Sequence, residues 1–241
     1  MASDREYLEM TILTDFRDLD AAPFCHAVVG EPAGYDLQDM THRMYRSIAR
    51  FYDLLDLPFE RGRYAPIRPV MFAGLTGRIL DAGVGTGRNM AFYPAGAEVT
   101  GIDLSPAMLS RAVARREQLG VKVELLERDV CDTAMPGGHF DAAVATFLFC
   151  VLDHDLQLPA LRELARLVRP GGEIRILEYQ YSARPWKRFV MRLWAPWVRL
   201  AYGATFDRNT EQYLPQAGLE IVEERFLFED IIKLIVARVP G

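Results

Sequence analysis

The chain has 241 residues, with 28 Lys and Arg against 33 Asp and Glu, a formal net charge of −5, and half of its residues hydrophobic. Such a length and composition fit a globular domain with additions, and the acidic balance excludes a general nucleic-acid binder, whose footprint would be basic. Cys25, Cys131 and Cys150 are scattered, without C-x-x-C or His/Cys spacing; no metal site is expected, and a reduced, cytoplasmic setting is the simplest reading.

Residues 1–39 form an extension whose first twenty residues carry six acids and two arginines, with no apolar run of the kind a secretory signal needs. No segment of the chain is apolar for long enough to span a bilayer. From Met40 to Leu57 the apolar residues Met44, Ile48, Phe51 and Leu55 recur three or four apart, which predicts an amphipathic helix. Pro58, Pro66 and Pro69 then lead into the core.

In the core, apolar strands are expected near Arg78–Asp81, Glu98–Asp103, Lys122–Glu127, Ala142–Phe147 and Glu173–Glu178, with helices between them. One helix, Pro106–Leu119, has Ser105 as its cap and a proline at its first turn. Leu219–Phe228 and Ile231–Val239 read as an antiparallel pair turned at Glu229–Asp230. Alternating strands and helices imply an α/β, doubly wound, mainly parallel sheet, which closes here on an antiparallel C-terminal strand.

The most informative segment is Ile79–Asn89, ILDAGVGTGRN, where an apolar strand ends in Asp81 and runs into Gly83, Gly85 and Gly87. Glycines there allow a tight turn and close approach of backbone amides to a ligand. Asp103 follows Gly83 by twenty residues, the spacing at which a carboxylate receives ribose hydroxyls in nucleotide-binding βαβ units. The pattern is G-x-G-x-G, not the dinucleotide G-x-G-x-x-G, and Asp81 would repel a pyrophosphate while tolerating a zwitterionic, sulfonium-bearing amino acid.

This arrangement resembles motif I of the class I S-adenosylmethionine-dependent methyltransferases, and the likeness extends over roughly residues 78–239. It implies a seven-stranded Rossmann-like sheet and S-adenosylmethionine as cofactor. Asp103 matches the ribose-binding acid, and Asp129 with Val130 matches the pair that holds the adenine edge. HFDAAVATFLFCVL (139–152) resembles the fourth strand, placing Thr146 and Phe147 beside the methionine part of the cofactor. LVRPGGEIRILEY (167–179) matches the turn into the fifth strand. The resemblance implies a cofactor site of Asp81, Gly83, Gly85, Gly87, Asn89, Asp103, Leu104, Met108, Asp129, Val130, Thr146 and Phe147. Tyr52 would join it from the preceding helix, in the run IARFYDLLD, which resembles quinone C-methyltransferases and phospholipid N-methyltransferases. GRNMAFYPAGAEVTGIDLSPAML and TFLFCVL resemble the thiol S-methyltransferase-like group.

Methyl transfer asks for collinear placement and exclusion of water more than for acid–base chemistry, and aromatic faces stabilise a sulfonium. Tyr45, Tyr52, Phe147 and Phe149 are candidate walls. Candidates for a catalytic group are His154, flanked by Asp153 and Asp155, then Cys150, Glu178 and Tyr179. Each has a bland counterpart: an exposed helix start for His154, core packing for Cys150, and a structural role for Glu178 and Tyr179.

The domains therefore read as 1–70, an extension with a cofactor-covering helix, and 71–241, the core, with an insertion at about 180–206. That insertion holds Arg184, Lys187, Arg188, Arg192 and Arg199 and no acid. On a helical wheel Arg188, Arg192 and Arg199 align within about 40°, beside an arc of Trp186, Phe189, Leu193, Trp197 and Leu200. Pro196 is expected to kink or restart the helix. The segment can act as a lid over an apolar substrate, pack its cations on the acidic extension, or contact a membrane peripherally through 186–200. The expected activity is methyl transfer to a small, partly apolar acceptor, a lipid, quinone precursor or thiol, by a monomer or homodimer. A non-catalytic S-adenosylmethionine-binding module and a nucleotide-dependent oxidoreductase are the alternatives. No nucleic-acid substrate is expected, because no N-P-P-Y-type run follows the fourth strand.

Overall fold

Seven strands form one sheet in the order β3-β2-β1-β4-β5-β7-β6 in a computed structural model that describes residue 64 and residues 66–241. The helix expected over 40–57, with Tyr45 and Tyr52, and the acidic extension lie outside the described residues. The strands are β1 Arg78–Ala82, β2 Glu98–Asp103, β3 Glu124–Glu127, β4 Phe140–Thr146, β5 Val168–Tyr179, β6 Glu220–Phe228 and β7 Ile232–Arg238. The pairings of β1 with β2 and β4, of β2 with β3, and of β4 with β5 are parallel. β7 enters antiparallel to both β5 and β6, so the expected sheet, with its reversed last strand, is the one observed.

The helices are α1 Arg68–Phe72, α2 Pro106–Leu119, α3 His154–Leu167 and α4 Pro185–Tyr202. Alternation along β1 divides the core. Leu80 and Ala82 join the cluster that α3 covers with Ala160, Leu161 and Leu164, while Ile79 joins Met71 and Phe72 on the opposite face. β1 and β4 are buried along nearly their whole length, as central parallel strands are.

The expected alternation of strand and helix is incomplete. A single 3-10 turn, Arg88–Phe92, links β1 to β2, and β3 reaches β4 through turns with an isolated Asp129–Asp132 bridge. Pro94 with Gly96, and Pro136 with Gly137 and Gly138, stop longer helices there. β5 begins earlier than expected, at Val168, because Arg169–Gly172 are carried into it as an irregularity opposite Asp141. A Cβ on Gly172 would stand 2.6 Å from the Asp141 carbonyl oxygen, so only glycine fits. α4 does not restart at Pro196 but runs through it. Pro196 is exposed, where water can serve the carbonyl left without its helical donor.

Candidate functional site

The strand order reverses between β1 and β4, and a cavity of about 1180 Å³ opens at the C-terminal ends of these strands, the usual ligand position in such sheets. Two of its sides differ in chemistry.

The first side is polar backbone. Gly83, Gly85 and Gly87 all have positive φ, at 71°, 55° and 79°, a region that side chains other than glycine enter at a cost. A Cβ at Gly83 would meet the Leu148 side chain at 2.8 Å, whereas one at Gly85 would meet only the Gly83 carbonyl oxygen, at 3.9 Å. Gly87 does not line the cavity; a Cβ there would meet the Met90 side chain at 2.7 Å. Asp103 pins the loop. Its Oδ2 accepts the Gly85 N–H at 2.9 Å and its Oδ1 the Ser105 N–H at 2.8 Å. Burial raises its carboxyl above the ordinary range. Each oxygen retains acceptor capacity for a ligand hydroxyl. Leu104, Met108, Asp129 and Val130 line the same side. Asp129 Oδ1 accepts the Cys131 N–H at 2.8 Å, which shapes the turn after β3.

Asp81 is placed differently from the expectation of direct cofactor contact: it is fully buried and does not line the cavity. It accepts the Tyr93 hydroxyl at 2.7 Å and the Asn89 amide at 3.0 Å. Burial, the largest influence, pushes its carboxyl up to about 6 in spite of these donors. Asn89 does line the cavity. Its amide also donates to Thr146 Oγ1 at 3.1 Å, and its carbonyl accepts Arg68 Nη1 at 2.7 Å. Asp81 therefore acts on the cavity through Asn89.

The second side is aromatic and aliphatic. Phe147, with φ of 57°, breaks β4, and its N–H donates to the Leu177 carbonyl at 2.7 Å. A left-handed phenylalanine costs about 1–2 kcal/mol. In this conformation its ring stacks on Tyr179, with centroids 4.5 Å apart and planes at 17°. Tyr64 and Phe206 complete the group, at 5.2 Å from Phe147 and 5.6 Å from Tyr179. Further out the wall is Val151, Leu152 and Leu156, and then Val190, Met191, Trp194, Trp197 and Val198 of α4.

The catalytic candidates separate cleanly. His154 is exposed at the start of α3 and outside the cavity. Cys150 lines the cavity, but its thiol donates to the Phe147 carbonyl at 3.2 Å, and burial drives its pKa up. Phe149, a candidate wall, points into the core instead. Tyr179 lines the cavity, while Glu178, the next residue along the strand, lies on the far side of the sheet and is fully buried.

The surroundings of Glu178 are polar but sparse. The Gln157 amide donates to the carbonyls of Phe149 and Leu152, and its oxygen lies 2.9 Å from the Thr210 hydroxyl. The same hydroxyl donates to Glu178 Oε2 at 2.7 Å, while Glu178 Oε1 is buried without a hydrogen-bond partner among the described residues. Burial, the dominant influence, raises Glu178 to about 8. Lys233, its partner across the β5–β7 pair, directs its charge to Glu211 at 3.0 Å and Glu224 at 3.4 Å. Glu178 is a buried acid behind the sheet, with burial favouring its neutral form.

Several contributors carried no sequence signal: Arg68, Tyr93 and Phe206, and Arg115, whose guanidinium holds the Thr86 carbonyl at 2.7 Å and so ties the glycine loop to α2. Only the Arg115 position, one face of a predicted helix beyond a glycine loop, could have been guessed.

A family model described as "Methyltransferase domain" matches residues 79–172. The chain is 34% identical over 188 residues to a ubiquinone/menaquinone biosynthesis C-methyltransferase of Syntrophotalea carbinolica, covering 73% of this chain and 77% of that protein. It is 38% identical over 105 residues to a phosphatidylethanolamine N-methyltransferase of Cereibacter sphaeroides, covering 43% and 51% of the two chains. Among solved structures, the 1,6-didemethyltoxoflavin-N1-methyltransferase of Burkholderia thailandensis superposes with a TM-score of 0.62 at 17% identity, covering 88% of this chain and 94% of that one. This last likeness concerns the fold alone.

Proposed function

The chain belongs to the class I S-adenosylmethionine-dependent methyltransferases, and we propose that it methylates a small, partly apolar acceptor of the lipid, quinone-precursor or thiol class. The observation that carries this reading is the contrast within one cavity: a glycine-and-carboxylate side at β1–β3 and an aromatic, aliphatic side running out to α4.

The cofactor fits the first side. Gly85 lines the cavity, and a Cβ there would meet only the Gly83 carbonyl oxygen, so its bare backbone is a cradle that a side chain would fill, and Asp103 keeps lone pairs for two ribose hydroxyls. Asp129 and Val130 would hold the adenine edge. Asn89, Thr146 and Arg68 would receive the amino-acid end, with Asp81 and Tyr93 orienting Asn89 from behind. S-adenosylmethionine, when bound, supplies a methyl group on a sulfonium sulfur. The stacked Phe147 and Tyr179 rings offer faces to that positive charge, a contact worth about 0.5–2 kcal/mol, and the aliphatic wall keeps water from the reacting centre.

Among the described residues no general base is assigned. His154 is outside the cavity, Glu178 is buried behind the sheet, the Cys150 thiol is committed to a backbone carbonyl, and the Tyr179 ring is stacked on Phe147. On this reading the acceptor atom brings its own nucleophilicity, and this chain contributes placement and dryness. The test is calorimetric titration with S-adenosylhomocysteine, followed by a methyl-transfer screen over phospholipid, quinol and thiol acceptors. Binding with turnover of one class is the expected result; absence of turnover across all three overturns the acceptor assignment.

A further inference from the structure

We propose that the outward face of α4 is a docking surface for an anionic lipid bilayer, placing the mouth of the cavity against the membrane. The proposal deepens the acceptor reading above and rests on it for its purpose, though not for its test.

A lid would turn its apolar arc inward. α4 does the reverse with most of it: Trp186 is 72% exposed, Leu193 66% and Leu200 65%, and Phe189 is also open. Six of the twelve exposed large hydrophobic side chains among the described residues lie on this one helix. A contiguous apolar face of this kind marks an interaction surface.

Charge selects the partner. No acid occurs between Gln180 and Phe206, while five cations do. Lys187 is held by Glu229 at 2.6 Å, and the Arg188 guanidinium donates to the Ser182 carbonyl, with no carboxylate partner among the described residues. Arg188, Arg192 and Arg199 share one stripe, flanking the apolar arc. A tryptophan-bearing apolar face edged by arginines is what an interfacial helix presents to headgroups and acyl chains, and each cation near an anionic surface adds to the attraction. The apolar arc would sink below the phosphates while the arginines reach them. Among the described residues, no helix is long and apolar enough to cross a membrane, so this contact is one of lying on the surface.

The cavity completes the picture. Trp194 and Trp197 line it and are also 59% and 42% exposed, so they stand at its rim. A bilayer seated on α4 meets this rim, and an apolar acceptor can pass into the cavity without crossing water.

All three tryptophans of the chain, Trp186, Trp194 and Trp197, belong to α4, so tryptophan emission reports on this helix alone. The full chain would be titrated with vesicles of phosphatidylcholine and of phosphatidylcholine mixed with phosphatidylglycerol, following emission and flotation. The expected result is a blue shift and co-flotation with the anionic vesicles, weakened by salt. The double variant Leu193→Glu/Leu200→Glu, at two open positions away from the cavity, should lower the vesicle partition by about tenfold or more while S-adenosylhomocysteine binding stays as in the parent. Failure of the parent to bind anionic vesicles overturns the proposal, as does equal binding by the double variant. A face that instead holds a second copy, seen as a dimer in light scattering that the double variant dissolves without any vesicle binding, overturns it too. Loss of S-adenosylhomocysteine binding in the parent would count against the cofactor site, not against this surface.

Discussion

The two sides of the cavity solve different problems with different parts of the chain. On the β1–β3 side, the cavity offers backbone conformation and two aspartates: glycines at positive φ, Asp103 bonded to Gly85 and Ser105, and Asp81 sealed behind Asn89. On the β4–β5–α4 side it offers ring faces and aliphatic bulk, with Glu178 buried beneath the sheet. A ligand with invariant ribose and amino-acid groups can be met by fixed hydrogen-bonding partners. An acceptor defined mainly by apolar surface is met by area, and area leaves many sequences equally good.

The sharpest way to break the first side is Asp103→Ala. The carboxylate accepts two loop amides and, in the proposed cofactor site, the ribose hydroxyls as well; charged hydrogen bonds contribute about 1.5–3 kcal/mol each. S-adenosylhomocysteine affinity should fall by about a hundredfold or more, read by calorimetry on protein shown to be folded by circular dichroism. Unchanged affinity would remove the cofactor from this edge.

Tyr179→Leu separates the sides. The stacked pair faces a cation only when the methyl group is present, so the variant should bind S-adenosylmethionine about tenfold more weakly and S-adenosylhomocysteine nearly as before. Equal loss for both ligands would mean that the ring acts as packing for the cofactor as a whole.

Legibility in the sequence follows the same division. The glycine loop could be read because positive φ restricts residue choice, and Asp103 because strand and loop lengths set its spacing. The sheet could be read because central strands are buried on both faces and show it in composition. Glu178 could not be placed: its burial and its contact with Thr210 involve residues far away in the chain. Asp81 showed its proximity to the site but not its burial behind Asn89. α4 showed its two stripes but not their direction, because helical periodicity fixes which residues share a face and is silent on whether that face meets protein.

Glu178→Gln probes the support of the apolar side. A carboxyl raised by folding from 4.5 to about 8 contributes stability that is complete below 4.5 and is lost as pH rises through about 8. The parent should therefore lose about 1.4 kcal/mol per pH unit within that window from this one group. The glutamine side chain can keep a hydrogen bond with Thr210 and has no titrating proton. The gap between variant and parent in denaturant-unfolding free energy should move in favour of the variant by about that amount from pH 6 to pH 7. A gap independent of pH would mean that Glu178 is ionised.

The smallest expected effect belongs to His154→Ala. The imidazole is exposed at the first residue of α3 and does not line the cavity, and removing a surface side chain away from such features costs within about 0.5 kcal/mol. Turnover of the accepted substrate should stay within about twofold of the parent, since an exposed base without reach to the acceptor cannot enter the rate. A loss of about a hundredfold, the scale of general-base catalysis, would show that the start of α3 moves against the acceptor. The division would then fail where it is most exposed to doubt, because the aromatic side would hold a proton acceptor after all.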